Sequence, residues 1–199
     1  MRAPTLVREL SPLERSTLAP HILALDSEDR RLRFGVPFGD AAINAYIARI
    51  DFERDAVFGI FDDRLSLVAA AHLARAPGYA ELGVSVLPGH RGRGCGAALL
   101  ARAHQRARNW GVRKLFMHCL RENGAMMHLA RKQSMEIAAE AGEADAWLAL
   151  APADASSHFG ELFAQRVALF DYALKFQLAA ARRLAEALTP AAARLAEEK

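Results

Sequence analysis

The stretch Tyr79–Gly111, which reads YAELGVSVLPGHRGRGCGAALLARAHQRARNWG, decides the fold. Its first part, Tyr79–Leu87, is largely apolar and β-branched, which predicts a buried strand. A turn with Gly92, Gly94 and Gly96 follows, and a helical pattern with a small apolar face begins directly after it. Glycine lets the backbone approach a ligand closely, and the first helical turn has free N–H groups. The stretch therefore predicts an anion-binding site.

The spacing of the glycines narrows the kind of anion. The pattern is GxGxG and not the GxGxxG of a dinucleotide fold, and no acidic residue stands about 20 positions further on to hold a ribose. No Gly-Lys-Ser/Thr is present, which excludes a nucleoside-triphosphate P-loop. From Leu82 to Arg121 the chain has many Arg and Lys residues and no Asp or Glu, which favours a polyphosphate ligand. For Arg102, Arg106 and Arg108 a solvated basic helix face is the alternative interpretation.

Together with its strand and helix, Arg91–Gly96 resembles motif A of the GNAT superfamily of acyl-CoA-dependent N-acyltransferases. That motif is a strand, then Gln/Arg-x-x-Gly-x-Gly/Ala, then a helix, and here the hexapeptide is RGRGCG. The clear resemblance covers about Tyr79–Leu150. It implies an α+β fold, an α/β/α sandwich whose mixed, mostly antiparallel sheet contains one splayed parallel pair. It also implies that the turn holds the pyrophosphate of acetyl-CoA or CoA, through Arg91, Gly92, Arg93, Gly94, Cys95 and Gly96.

The resemblance further implies how the pantetheine arm of the cofactor is bound. The apolar segment Lys114–Leu120 would form a strand parallel to Tyr79–Leu87, and the two strands would splay apart to leave a slot. Backbone groups of Val84 and Val86 would then be free to bond the pantetheine amides. The helix after Gly94 would make the right-handed crossover between the two strands.

A second motif lies downstream in Glu122–Ile137, which reads ENGAMMHLARKQSMEI. It resembles motif B of the same family, Asn-x-x-Ala-x-x-Leu-Tyr-x-Lys-x-Gly-Phe-Glu, most clearly at Asn123, Leu129 and Lys132. The resemblance implies that the Asn123 side chain bonds the cofactor, and local grounds alone make this residue a helix N-cap. Lys132 is a candidate for contacts with the nucleotide phosphates, and so are Arg91 and Arg93.

Three residues depart from motif B. Ala130 stands where most members have the Tyr that often protonates the departing thiolate, so the resemblance supplies no general acid. A thiol of pKa about 8.5 is a tolerable leaving group near neutral pH, so the reaction does not require a protein acid. Ser134 and Met135 replace Gly and Phe, which alters the turn into the next strand but keeps an apolar side chain there.

Glu81 is the candidate general base. It is the one acidic residue of its predicted strand and stands shortly before the glycine turn. An amine of pKa about 10.4 is mostly protonated at neutral pH, and a nearby carboxylate can take its proton directly or through a water. Several branches of the family use a Glu at the equivalent place as the base, so the resemblance implies the same role for Glu81. The alternative is that Glu81 simply faces solvent on its strand.

The N-terminal part is predicted to contain a strand and two helices. Thr5–Glu9 alternates like a short strand, and Ser11, Pro12 and Glu14 then form a capping box that opens a helix to about Leu25. Asp40 is expected to cap a second helix that ends near Ile50. Residues 26–40 between the helices are interpreted as the variable connection that, in this family, helps to form the acceptor pocket. Its aromatic residues, Phe34 and Phe38, either line that pocket or cover the core.

Several short strands are predicted between the second helix and residue 151. Two of them, together with Tyr79–Leu87, form an antiparallel meander, and two more form a final hairpin around residues 142–145. Their predicted bounds are Asp55–Phe61, Leu65–Ala74, Glu136–Ala141 and Ala146–Ala151. His72, a lone histidine in an apolar run, is interpreted as a structural residue, although its strand could face the acceptor site.

Residues 152–199 are predicted to be a helical addition to an acyltransferase domain of residues 1–151. Ser156 or Ser157 would cap a helix that ends near Leu188 at Thr189-Pro190, with residues 191–199 frayed. One side of this helix carries an apolar stripe: Phe159, Leu162, Phe163, Val167, Leu169, Phe170, Leu174, Phe176 and Leu178. Such a stripe must be buried against the domain, a second copy or another protein, and we expect a dimer or docking helix.

The composition of the chain limits which cellular compartment and which kinds of binding partner we expect. The chain has 199 residues and a net charge of +3, with the basic excess in the middle, which argues against general nucleic-acid binding. Two cysteines without metal-ligand partners at useful spacing indicate a reducing compartment and no metal site. No signal peptide and no membrane-length apolar run is present, so we expect a cytoplasmic protein that does not bind membranes.

The sequence therefore predicts an N-acetyltransferase that uses acetyl-CoA, with a small-molecule or peptide amine as acceptor and Glu81 as base. The alternative is a non-catalytic acyl-CoA-binding regulatory module with a dimerising C-terminal helix, which Ala130 favours. Nothing in the sequence selects among amino acids, polyamines, aminoglycosides, peptide N-termini and protein lysines as the acceptor.

Overall fold

A computed structural model describes the backbone of residues 5–197 and the side chains of residues 5–186. One mixed sheet of seven strands runs in the order β1-β2-β3-β4-β5-β7-β6. The strands are β1 (Arg8–Glu9), β2 (Ala56–Phe61), β3 (Leu67–Ala76), β4 (Tyr79–Val86), β5 (Lys114–Leu120), β6 (Glu136–Glu140) and β7 (Glu143–Ala149). The helices are α1 (Leu18–Leu23), α2 (Ser27–Phe34), α3 (Asp40–Arg49), α4 (Cys95–Asn109), α5 (Gly124–Lys132) and α6 (Ala155–Glu197). Two 3-10 turns lie at Pro12–Thr17 and Pro88–His90.

Helices cover both faces of the sheet, as β2 shows directly. All six residues of β2 are buried, and successive side chains of a strand point to opposite faces. Phe58 packs in a cluster with Leu99 of α4, whereas Val57 packs in a second cluster with Ile43 of α3. β4 and β5 are parallel and all other neighbouring strands are antiparallel. The predicted α/β/α sandwich with a mixed, mostly antiparallel sheet is confirmed.

The N-terminal helices differ from the prediction in one important respect. The capping box forms, since the Ser11 amide donates to the Glu14 carboxylate at 3.0 Å. The segment 26–40, however, is not only a connection: it contains α2, which begins where the Asp29 amide donates to the Asp26 carboxylate at 2.7 Å. α2 is strongly charged and has no fully buried residue, so it carries no apolar periodicity that would predict a helix. The residue before α3 is Gly39, so Asp40 is its first helical residue and not its cap.

The turns of the last strands also differ from the prediction. β7 begins at Glu143, so the predicted four-residue turn 142–145 is wrong. Ala141 and Gly142 have φ of 49° and 91°, and two positive φ values in succession are typical of the tight type I′ hairpin. Ser134, which stands at the Gly position of motif B, has a φ of 53°. Serine thus adopts the left-handed conformation that the family pattern assigns to glycine.

The cap and the end of α6 were both predicted wrongly. Asp154 is the cap, because its carboxylate accepts from the Ser157 amide at 2.7 Å and its own amide donates to the Ser157 hydroxyl at 3.1 Å. The helix continues through Thr189-Pro190 to Glu197. The alanine-rich segment that follows Pro190 favours helix strongly, and proline disturbs only the turn before it. Among the residues described, no helix has the length and apolarity that a membrane crossing needs.

The arginines of α4 hold α6 against the domain. Arg102 donates to the Glu161 carboxylate at 2.7 Å and to the Gln165 side chain at 3.0 Å, and its side chain is only 4% exposed. Arg106 also pairs with Glu161, at 2.5 Å, and Arg108 pairs with Asp154 at 2.5 Å. Burial would raise the pKa of Glu161, but hydrogen bonds from Asn109 and Arg102 outweigh it and lower that pKa. These three arginines therefore form neither a solvated helix face nor a polyphosphate site.

The apolar stripe of α6 faces away from the domain. Ala168 is buried against the domain, and the Tyr172 ring meets the Phe61 ring edge-on with centroids 5.0 Å apart. The face of α6 that packs against the domain is therefore the more polar one, which also carries Glu161. On the opposite face, Phe159, Phe163 and Phe170 are 62% to 74% exposed. The expectation that the domain itself could bury this stripe is wrong. The position of a domain boundary near residue 151 stays a prediction.

A buried histidine joins the helical layer to the sheet. His21 of α1 is 2% exposed; its Nδ1 donates to the Leu67 carbonyl at 2.9 Å and its Nε2 accepts from the Ser85 hydroxyl at 2.8 Å. Burial lowers the pKa of His21 to about 4, and the charge of Arg33 contributes. The imidazole is therefore neutral in the folded protein at pH values at which it would be charged in the unfolded chain.

This burial makes stability depend on pH in a defined window. Between pH 6.5 and about 4 the unfolded chain binds a proton at His21 that the native protein does not, so the free energy of unfolding falls as pH falls. The loss at the low end is roughly 3 kcal/mol. Urea unfolding of His21→Gln between pH 7.5 and 4.5 should show a shallower decline than the unchanged protein. The exposed His158→Gln is the control, and an equal decline in His21→Gln would contradict the assignment.

Candidate active site

The parallel strands β4 and β5 pair for only three rungs and then separate. The rungs are Tyr79 with Lys114, Ala80 with Leu115, and Glu81 with Phe116. β4 continues beyond this point to Val86, still paired with β3 along its other edge. The predicted splayed pair is therefore present, and the slot between the strands begins at the Glu81 rung.

The hydrogen-bond register shows which backbone groups face this slot. The Leu87 amide bonds the Val68 carbonyl at 3.0 Å, which makes this an antiparallel hydrogen-bonded pair. Such pairs alternate along a ladder, so Ser85 and Gly83 direct their backbone groups toward β3. Val84 and Val86 consequently direct theirs toward the slot. This is the arrangement that the resemblance implied for the pantetheine amides.

The glycine turn at the far end of the slot presents free amides. Gly92 and Gly94 have φ of 67° and 88°, a region that glycine adopts without strain. The first backbone bond of α4 runs from the Ala98 amide to the Gly94 carbonyl at 3.0 Å, so the amides of residues 95–97 have no partner within the helix. Gly96 allows α5 to pack closely, because a Cβ there would lie 3.1 Å from Leu129 Cδ1. The turn therefore has the geometry of an anion site at a helix N-terminus.

A cavity of about 470 Å³ runs along the slot from this turn to the end of α1. Its walls are β4, the glycine turn, α2 and α5. Most of the predicted cofactor-binding residues line it, namely Val84, Val86, Arg91, Gly92, Gly94, Cys95, Gly96, Asn123 and Lys132. Arg93 is exposed outside this lining. The structure thus brings together residues that lie up to 48 positions apart in the chain, from Val84 to Lys132.

Two of these residues already have partners in the protein. The Asn123 side chain accepts from the Met126 amide at 3.1 Å and donates to the Leu32 carbonyl at 3.1 Å, so it caps α5 and ties it to α2. Arg91 pairs with Asp29 of α2 at 2.5 Å and donates to the Val86 carbonyl at 3.1 Å. Asp29 would compete with cofactor phosphates for Arg91. Asn123 lines the cavity mainly as a positioning residue for its two helices.

The candidate base lies beside the cavity and not in its lining. Glu81 is exposed and belongs to the last rung before the slot opens. Its face of β4 also contains Gly83, two residues further on and about 7 Å along the strand. Ala130, the position of the missing Tyr, is buried in the core and presents no group to the cavity. His128, one helical turn before Lys132 on α5, lies on the cavity wall and is exposed.

A chain of hydrogen bonds that was not predicted from the sequence ends at Arg33, on the wall of the cavity. Arg33 of α2 donates to the Tyr46 hydroxyl at 3.2 Å, and this hydroxyl bonds His72 Nδ1 at 2.8 Å. His72 Nε2 lies 3.1 Å from the buried Asp55 carboxylate. Burial lowers the pKa of His72, so its ring donates to Asp55 and accepts from Tyr46 in the neutral state. His72 is thus a hydrogen-bonded structural residue, as interpreted, and its strand does face this side of the site.

The two aromatic residues of segment 26–40 pack with this chain. Phe34 and Phe38 stack with ring centroids 4.1 Å apart, and Tyr46 meets Phe34 edge-on at 5.2 Å. Both rings belong to the margin of the cluster that contains α1 and α3. Both rings cover part of the core and lie outside the lining of the cofactor cavity, and their role in an acceptor pocket stays a prediction.

Comparisons with known proteins agree with this fold and assign the family. The model of the acetyltransferase (GNAT) family matches residues 23–135. The GNAT domain of S. lividans PAT superposes with a TM-score of 0.63 at 21% identity, covering 72% of this chain and 89% of that one. The PaiA N-acetyltransferase of Thermoplasma acidophilum, solved with coenzyme A, gives 0.56 at 16% identity, covering 72% and 97%. The ribosomal-protein-S18-alanine N-acetyltransferase of Escherichia coli gives 0.54 at 17% identity, covering 75% and 94%.

The fold and site define an acyltransferase. The family model spans more than half of the chain, so this protein belongs to the GNAT acetyltransferase family. These three structures are less than 25% identical to the chain and show the fold alone. No curated protein matches the sequence. A purely non-catalytic module, the alternative from sequence, is not what the match to an acetyltransferase family indicates.

The glycine turn can be tested by calorimetric titration with acetyl-CoA. Gly94→Val places a β-branched side chain at a φ of 88°, where only glycine is unstrained, and in front of the free amides of α4. We expect binding to weaken by at least about tenfold, the loss of one strong hydrogen bond to an anion. Gly89→Ala is the control, since a Cβ there meets nothing and φ is not positive. Equal affinities in the two variants would contradict a phosphate site at this turn.

Proposed function

We propose that this protein transfers an acetyl group from acetyl-CoA to a primary amine within a ternary complex. The observation that carries the proposal is the slot between β4 and β5. It starts at Glu81, ends at the anion-binding turn, and extends over five residues, about 17 Å. A cofactor whose pyrophosphate lies at the turn would place its thioester near Glu81 and Gly83.

The chemistry follows from this placement. The amine nitrogen attacks the thioester carbonyl, the carbon–sulfur bond breaks, and CoA leaves as the thiolate. Glu81 accepts a proton from the amine, directly or through a water, because only the neutral amine is nucleophilic. Holding both substrates in one cleft lowers the barrier by orientation. An acceptor can approach from the face of β4 that holds Glu81, since the cofactor slot lies at the strand edge.

Glu81→Gln tests the base. Removing the carboxylate should lower kcat by about 10²-fold or more and shift the pH profile of kcat. Acetyl-CoA affinity should stay close to that of the unchanged protein, because Glu81 does not line the cavity. Thiol release measured across pH, with calorimetry for the cofactor, provides both readouts. Glu140→Gln, an exposed carboxylate on β6, is the control, and unchanged kinetics in Glu81→Gln would exclude Glu81 as the base.

We also propose that α6 pairs with a second copy of the chain. The exposed stripe contains four Phe and five Leu residues that are 41% to 74% exposed, a much larger apolar surface than solvent-facing helices carry: Phe159, Leu162, Phe163, Leu169, Phe170, Leu174, Phe176, Leu178 and Leu184. A second copy offers an equal stripe, so a two-fold contact covers both at once. The ion pairs of Glu161 and Asp154 hold the helix so that this stripe points outward.

Sedimentation of the full chain tests this pairing. The unchanged protein should sediment as a dimer at micromolar concentration, and the double variant Phe163→Glu, Phe170→Glu should be a monomer because it places charges in the stripe. Leu13→Glu is the control, since Leu13 is 94% exposed and lies outside α6. A monomeric unchanged protein at 100-fold higher concentration would refute the proposal.

A further inference from the structure

Arg33 occupies an unusual position at the inner end of the cavity. Its guanidinium lies flat on β4 at Gly83, where a Cβ would meet three of its atoms at 2.2 to 2.3 Å. Any side chain at position 83 would therefore displace it. The same guanidinium lies 4.9 Å from the Phe34 ring centroid, so it is sandwiched between an aromatic ring and the strand. Arg33 lines the cavity that we assign to the cofactor and adjoins the place of the thioester.

No carboxylate pairs with Arg33 among the residues whose side chains are described. Its one hydrogen bond in that part of the chain goes to the neutral Tyr46 hydroxyl. The neighbouring arginines of α2 behave differently, since Arg30 pairs with Asp40 at 2.6 Å and Arg31 pairs with Glu28 at 2.7 Å. The one acidic residue of the cavity wall, Asp29, is held by Arg91. A half-buried guanidinium thus retains most of its donors for a ligand.

The protein fixes this guanidinium in place. Tyr46, His72 and Asp55 form a hydrogen-bonded chain behind it, with contacts of 2.8 and 3.1 Å. Asp55 is anchored in turn by the Arg75 amide at 3.1 Å and by Arg54 at 2.9 Å. A donor group held in this way loses little conformational entropy when it binds an anion. At one end of these hydrogen bonds is the Asp55 carboxylate. At the other end is the positively charged Arg33, whose remaining donors can bind a ligand.

We infer that Arg33 binds a carboxylate of the substrate next to the reacting centre. This inference rests on the proposed acetyl transfer and names the substrate class for it. A guanidinium presents two parallel N–H donors that match a carboxylate, and such pairs are strong when partly removed from water. The carboxylate belongs either to an amino-acid acceptor, which then attacks through its amine, or to a dicarboxylic acyl group on CoA.

The first arm of the test asks whether the acyl group supplies the carboxylate. Calorimetry compares succinyl-CoA with butanoyl-CoA, which has the same chain length and no carboxylate. The second arm compares amino acids with the amines of the same side chain, using thiol release from acetyl-CoA. Its pairs are leucine with 3-methylbutylamine, phenylalanine with phenethylamine, and lysine with cadaverine. We expect the carboxylate-bearing member to be favoured by about 10- to 100-fold in one arm, the worth of a hydrogen-bonded charge.

Three variants assign that preference to Arg33. Arg33→Gln removes the charge and should reduce the preference to within twofold, whereas Arg33→Lys should restore part of it. Arg31→Gln is the matched control, because Arg31 lies on the same helix outside the cavity lining. Its preference should equal that of the unchanged protein. Circular dichroism and thermal unfolding verify that each variant is folded before it is assayed.

The possible outcomes separate the inference from the function on which it rests. Transfer to amines with no carboxylate preference in either arm would overturn the inference and leave the acetyl transfer standing. A preference that survives in Arg33→Gln would overturn it as well. An equal loss of rate for both members of each pair in Arg33→Gln would mean that Arg33 stabilises the developing oxyanion instead. Failure to bind any acyl-CoA would refute the proposed function itself.

Discussion

The separation of β4 from β5 after the Glu81–Phe116 rung is the constraint on which the rest of the site depends. Backbone groups of Val84 and Val86 that a continuous ladder would pair have no strand partner here; the Val86 carbonyl accepts from Arg91 at 3.1 Å instead, and buried groups that stay unpaired each cost about 1 to 3 kcal/mol. A ligand that bonds them recovers this cost. The same separation leaves room for α5 and α2 to form the side walls of a cavity. The glycine turn then forms the end of the cavity that binds an anion, because α4 starts with three amides that have no partner in the helix.

The short helix α2 connects the two ends of this cavity. Asp29 holds Arg91 at the phosphate end, Leu32 accepts from Asn123 of α5, and Arg33 rests on Gly83 at the thioester end. These three contacts come from residues 29–33, a little more than one helical turn. Arg91 can exchange Asp29 for a phosphate of the cofactor, which would loosen one of the three contacts.

Local signals in the sequence were sufficient for most of the fold. Gly92 and Gly94 predict the turn, Ser11 and Glu14 predict the capping box, and the apolar segment Asp55–Phe61 predicts the strand that the structure has as β2. The family resemblance added the splayed pair, which periodicity alone does not contain. α2 escaped prediction because its stability comes from a cap and ion pairs and not from an apolar stripe. Arg33 and its partners escaped for a second reason: they join residues 33, 46, 72 and 55, whose proximity is a property of the tertiary fold.

The C-terminal helix shows how the same residue pattern can be interpreted in two opposite ways. Its amphipathic periodicity predicts only that the apolar stripe is buried, against the domain, a second copy or another protein. The basic stripe of α4 selects which face of α6 packs on the domain, because Arg102 and Arg106 pair with Glu161 of α6 as well as with Glu9 of β1. A charge as deeply buried as Arg102 is stable only when paired, so the polar face of α6 must turn inward. The apolar face is then forced outward, and the cost of exposing it is the physical reason to expect a partner there.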